Sequence, residues 1–200
     1  MIQPTTAPLS IEDWIRLEQE NDTKYEYYNG EIFAMAGGSF NHNSICKNVT
    51  RTVENALIAN GDRCTFHNSE MKLELAEASR YVYTDGVITC GDDNIVSETN
   101  GMIANPTVII EVLSPTSEAD DRGRKWHAYR RLATLQHYLL ISQQRPSIEL
   151  YSRRGDLWLF RELTELSDVI VLDKVGIEIS LADLYRRINF STPASDAPAP

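Results

Sequence analysis

The sequence predicts an α/β (α+β) fold, a mixed central β-sheet flanked by helices, with a helix and a hairpin at its N-terminal end. Three observations lead there. Stretches of helical period and stretches of period two follow one another as helix, strands, helix, strands, the order of a layered mixed domain. Two hundred residues, 42% hydrophobic and 24% charged, suffice for one ordinary domain with a substantial core. No apolar run approaches the ~20 residues that cross a bilayer, and no internal repeat breaks the pattern.

The elements follow in order. "LSIEDWIRLEQEN" reads as a short helix with Ser10 as N-cap, Asp13 at the capping-box position, and Trp14 and Leu17 facing inward. "KYEYYNGEIFAMAG" reads as two strands about Asn29-Gly30, a strong hairpin signal. In "NHNSICKNVTRTVENALIANG", Ile45, Val49, Val53, Ala56 and Leu57 recur at helical spacing and Gly61 ends the helix. "TFHNSEMKLELAE", "RYVYTDGVITC" and "NPTVIIEVLSP" read as strands. "SEADDRGRKWHAYRRLA" returns to helix, opened by Ser117 with Asp120 at the capping-box position. "LQHYLLISQQ", "SIELYSRR", "LWLFRELTE" and "DVIVLDKVGIEI" are further strands, and "LADLYRRI" is a short closing helix. Residues 1–190 are read as a single domain, and the tail "STPASDAPAP", 191–200, has the composition of a disordered end.

The bulk numbers exclude some functions. A formal net charge of −10 argues against general adhesion to nucleic acid or to an anionic membrane, so any polyanion contact needs a local basic face. "MIQPTTAPLS" lacks a basic start and an apolar h-region. Cys46, Cys64 and Cys90 are odd in number and scattered, which suits reduced thiols in a cytoplasm. There is no phosphate-binding glycine loop, no H-E-x-x-H and no G-x-S-x-G.

The chemistry concentrates on a few acids. Glu111 is set among Val108, Ile109, Ile110, Val112 and Leu113, in what reads as a central strand buried on both faces. An isolated carboxylate there is costly, so Glu111 needs a partner, a proton or a metal. A catalytic role and a core ion pair both remain open. Asp85, before Gly86, is either a turn residue or a strand carboxylate on the face of Tyr81 and Tyr83. On neighbouring strands the two would suit Mg²⁺, which takes one or two carboxylates plus waters and phosphate oxygens. Lys125 is spaced i, i+4 from Asp121, the spacing of an ordinary surface pair, or else it stabilises charge at a metal-bound water. Glu31 reads as a solvated strand residue or a fourth member of the site, and His42 as a helix-start residue.

"YEYYNGEIFAMAGGSFNHNSI", "SEMKLELAEASRYVYTDGVITCGDD", "NPTVIIEVLSPTSEADDRGRKWHAYRRL" and "LQHYLLISQQRPSIELYSR" together resemble the bacterial Uma-two family of the PD-(D/E)XK superfamily, from about Leu9 to Phe190. The resemblance implies a restriction-endonuclease-like core with a sheet built from the "MKLEL", "YVYTDGVITC", "VIIEVL" and "HYLLIS" strands. It matches Asp85 to the aspartate of the PD motif and Glu111 to the second acid. The superfamily's usual lysine position is Leu113 here, which makes Lys125 its replacement, and Glu31 matches the family's Gly-Glu. Thr84 and Gly86 stand where the family commonly has proline and valine. The implied activity is a Mg²⁺- or Mn²⁺-dependent endonuclease acting on DNA, with the metal between Asp85, Glu111 and Glu31. Arg122, Arg124, Arg130 and Arg131 would contact substrate, unless they merely pair with Glu118, Asp120 and Asp121. A homodimer is a further expectation of that fold, with no membrane partner. The alternative is a non-catalytic interaction module on the same fold.

Overall fold

The computed structural model describes residues 8–35, 37–76, 79–91, 95–97 and 101–190. The expected tail, 191–200, lies outside the described residues. Helix α1 (Ile11–Asn21) carries the expected box, with the Ser10 hydroxyl accepting from the Asp13 amide and the Asp13 carboxylate accepting from the Ser10 amide. Strands β1 (Tyr25–Tyr28) and β2 (Glu31–Ala34) form the hairpin about Asn29 and Gly30, both at positive φ as that turn requires. Helix α2 (Phe40–Ala59) follows, capped by Ser39.

Two six-stranded sheets, each mixed, make the body of the protein. The first runs β2–β1, then β5 (Arg80–Tyr83), β4 (Lys72–Leu75), β8 (Met102–Ile103) and β7 (Ile95–Ser97). The second runs β12 (Leu157–Leu163), β11 (Ile148–Arg154), β10 (His137–Ser142), β9 (Val108–Leu113), β6 (Gly86–Cys90) and β3 (Cys64–Asn68). Strands β13 (Val169–Leu172) and β14 (Ile177–Ser180) form a separate hairpin, followed by helix α5 (Leu181–Leu184). The "MKLEL" strand therefore belongs to a different sheet from "VIIEVL". "RYVYTDGVITC" is two strands, one in each sheet, and the chain passes between the sheets at Thr84-Asp85. Tyr81, Val82, Tyr83, Val87 and Ile88 are all buried, so no alternation of polar residues marks the break.

The layers follow from side-chain periodicity. Strand β9 alternates: Val108, Ile110 and Val112 pack with Ile45, Val49, Val53 and Leu57 of α2, and Ile109 and Leu113 pack with Leu73, Val82 and Tyr138 between the sheets. Trp14 of α1 covers the first sheet through Tyr25, Tyr27 and Tyr81. The parallel pair β9–β10 needs a crossover, and the expected 118–133 helix supplies it in three pieces. These are α3 (Glu118–Asp120), a π-helical turn Asp121–Lys125, and α4 (Trp126–Tyr129).

The expectation of reduced, scattered thiols is corrected. Cys64 and Cys90 are directly opposed in the β3–β6 pairing and joined by a disulfide, which leaves Cys46 as the free cysteine among the described residues. Sequence spacing could not show this, because the register of two antiparallel strands brings positions 26 apart face to face.

Candidate active site

Asp85 sits at the bend just before β6, and the β6–β9 register, with Gly86 opposite Ile110, sets it beside the C-terminal half of β9. Its Oδ2 accepts the Val112 backbone N–H at 2.7 Å. Glu111 is only 4% exposed, and its Oε1 accepts the Tyr129 hydroxyl at 2.9 Å and the Lys125 ammonium at 3.3 Å. Lys125 is itself buried and reaches two further carboxylates, Glu26 Oε1 at 3.0 Å and Asp121 Oδ1 at 3.2 Å. The i, i+4 relation to Asp121 is thus a buried pair and not a surface one. The π-turn around Gly123 carries Lys125 to this side, and such turns recur where a helix must aim a functional group.

Asp85, Glu111 and Lys125 line one cleft of about 310 Å³ together with Glu26, Arg80 and Asp120. Glu31 does not join them. It lies exposed at the start of β2, paired with Tyr28 across the hairpin. Glu26 occupies the place expected for Glu31, because β1 alternates: Tyr25 and Tyr27 face α1, and Glu26 faces the cleft. Asp120 does not close a capping box either. The Ser117 side chain caps nothing, and Asp120 instead binds Arg80 at 2.6 Å and Arg124 at 2.6 Å. Arg80 also reaches Glu26 at 3.3 Å.

The electrostatics are those of a site with too many acids. Glu26, Asp85, Glu111, Asp120 and Asp121 stand against Arg80, Arg124 and Lys125, five carboxylates to three fixed cations. Burial pushes the Glu111 carboxyl well above its usual range; Lys125 pulls it back, while Asp121, Asp85 and Glu26 raise it further. Burial alone would lower the Lys125 pKa, but Glu111, Glu26 and Asp121 more than reverse this and hold it as an ammonium. Burial also keeps the Tyr129 hydroxyl protonated, so it remains a donor to Glu111. The carboxylates are hard oxygen donors and outnumber the fixed cations, and a divalent ion of the Mg²⁺ kind would favour the ionised form of Glu111.

Sequence reasoning missed Glu26, Arg80, Asp121, Tyr129 and His42 as participants. For Glu26 the alternation within "YEYY" was the available signal. His42 lies one helical turn before Cys46, and its Nε2 is 3.4 Å from Asp85 Oδ2.

Residues 11–182 match a family model described as "Uma2: Putative restriction endonuclease". Two uncharacterized proteins of Synechocystis are similar over most of their lengths. One, slr1290, is 34% identical over 91% of this chain and 94% of its own; the other, sll1609, is 33% identical over 82% of this chain and 92% of its own. A solved structure described as "a putative nuclease belonging to DUF820" from Anabaena variabilis superposes with a TM-score of 0.68, covering 89% of this chain and 98% of that one. At 18% identity that likeness speaks for the restriction-endonuclease-like fold.

Proposed function

The chain belongs to the Uma-two family, and from that membership we propose that it is a divalent-metal-dependent endonuclease that hydrolyses phosphodiester bonds of DNA. One observation carries the reading: Asp85, Glu111 and Lys125, from three separate elements, line a single cleft in which carboxylates outnumber cations. A bound Mg²⁺ or Mn²⁺ would polarise the phosphate and make a bound water acidic enough to act as nucleophile. Asp85 and Glu111 would hold the ion, with Glu26 beside them. Tyr129 fixes the orientation of Glu111 through its hydroxyl. Lys125, kept charged, is suited to offset the negative charge that grows on the phosphate oxygens, and unsuited to act as a base.

The competing reading is a non-catalytic interaction module. It gains from the same hydrogen bonds, since the cleft's polar groups already satisfy one another: Asp85 with Val112, and Glu111 with Tyr129 and Lys125. The two separate in a nicking assay on supercoiled plasmid. The nuclease reading expects Mg²⁺-dependent nicking that chelation stops, that Glu111→Ala abolishes, and that Lys125→Met slows by about 100-fold. Equal rates for wild type and Glu111→Ala, or none for wild type with either metal, would remove the nuclease reading.

A further inference from the structure

We propose that His42, Cys46 and Asp85 form a second cation site, for a borderline transition metal of the Zn²⁺ class, at the rim of the cleft. His42 and Cys46 lie one turn apart on α2 and so project from one face of that helix. The bend between the two sheets brings Asp85 to them. Cys46 Sγ is 3.5 Å from His42 Nδ1 and 3.5 Å from Asp85 Oδ1, and one ligand atom from each residue can be chosen so that all lie within 4.8 Å of one another. The edges of a tetrahedral Zn²⁺ site with such ligands measure about 3.3–3.6 Å, so the two edges at the sulfur are already near their final length, and the third closes when His42 gives up its Nε2 contact with Asp85 Oδ2, now 3.4 Å.

Three further features fit. The Val112 N–H anchors Asp85 Oδ2, and Oδ1 faces the thiol. All three residues are only partly buried and border an open recess of about 300 Å³, with room for a water as fourth ligand. At Gly38 a β-carbon would come within 2.8 Å of His42 Nδ1, so the loop before α2 has the one residue type that lets it close on this ring. The donors decide the metal class: nitrogen, sulfur and carboxylate oxygen favour Zn²⁺ over Mg²⁺, and on binding the thiol proton passes to solvent. Asp85 is common to this site and to the acidic cleft. A metal held by His42 and Cys46 would thus draw Asp85 away from the hard cation, which predicts inhibition by Zn²⁺. That consequence rests on the nuclease reading; the site itself does not.

The test is a Co²⁺ titration of the full chain, without reductant so that Cys64 and Cys90 stay paired and Cys46 is the free thiol. The expected result is one equivalent of Co²⁺ giving a thiolate charge-transfer band in the near ultraviolet. Cys46→Ser abolishes the band, and Glu111→Gln keeps it at unchanged stoichiometry. Calorimetry should show His42→Ala weakening Zn²⁺ binding by at least about tenfold, and this variant decides the matter if Cys46→Ser does not fold. Absence of the band in wild type, its survival in Cys46→Ser, its loss in Glu111→Gln, or unweakened Zn²⁺ binding by His42→Ala would each overturn the proposal. None of these readouts needs cleavage. A protein that shows the band and nicks no DNA would refute the proposed activity and leave the metal site standing.

Discussion

Glu111 is a buried carboxyl that accepts from both the Lys125 ammonium and the Tyr129 hydroxyl. Its charge was legible as an anomaly because everything around it in β9 is apolar, and the structure supplies the partners that such a charge demands. The partners themselves were not legible. Lys125 stands in a run of charges that scans as a solvated helix face, and only the π-turn rotates it inward. Glu26, His42 and Cys46 are single polar residues within ordinary amphipathic patterns, where nothing in the order of residues announces a shared site. The position of Glu111 among excess acids has a measurable consequence. Its folded-state pKa is raised well above the reference of 4.5, so the native state holds the proton more tightly than the unfolded chain does. The stability it contributes is therefore complete below about pH 4.5 and drains as pH rises toward the folded value. Glu111→Gln carries a neutral amide and lacks this loss. In metal-free buffer the urea midpoint of wild type should fall relative to Glu111→Gln between about pH 5 and 8. A constant difference across that range would mean that Lys125 keeps Glu111 ionised throughout.

At the scale of elements, most strands and both long helices were legible from their periods. The arrangement of two sheets was not. The passage at Thr84-Asp85 leaves no pattern because residues on both sides of it are buried, so one apolar run reads as one strand. Gly86 shows how the second half of that run is fitted. A β-carbon there would lie 2.8 Å from Phe66 Cε2, on the neighbouring strand β3, and 3.6 Å from Ile110 Cβ. The Phe66 ring thus fills the space that a side chain at position 86 would occupy, one residue from Asp85. The resemblance implies valine here, and this chain closes the gap from the next strand. Gly86→Val should overpack the site and cost about 1–3 kcal/mol in chemical denaturation, and adding Phe66→Ala should return part of it. Additive losses in the double variant would show that ring and glycine do not compensate one another.

Over the whole molecule, a net charge of −10 opposes contact with a polyanion, and the described surface offers a local exception. The cleft continues into a second recess of about 820 Å³ through Tyr28, Arg80 and Arg124, which line both, and His127 and Arg131 lie along the extension. The four arginines expected to contact substrate divide into two kinds. Arg122 is held by Glu118 and Glu149, and Arg124 by Asp120, so their charges are largely spent inside the protein. Arg130 and Arg131 are exposed, rest against His127, and make no ion pair among the described residues. Only the second pair has charge to offer a phosphate backbone leaving the cleft. On a labelled DNA duplex, the double change Arg130→Ala and Arg131→Ala should weaken binding and reduce the slope of log affinity against log salt by about 2, because each lost phosphate contact removes roughly 0.9 of that slope. Arg122→Ala, which frees Glu118 and Glu149 and removes no available cation, should leave the slope unchanged. The reverse ranking would mean that substrate leaves the cleft by another route and that Arg130 and Arg131 serve only to hold His127.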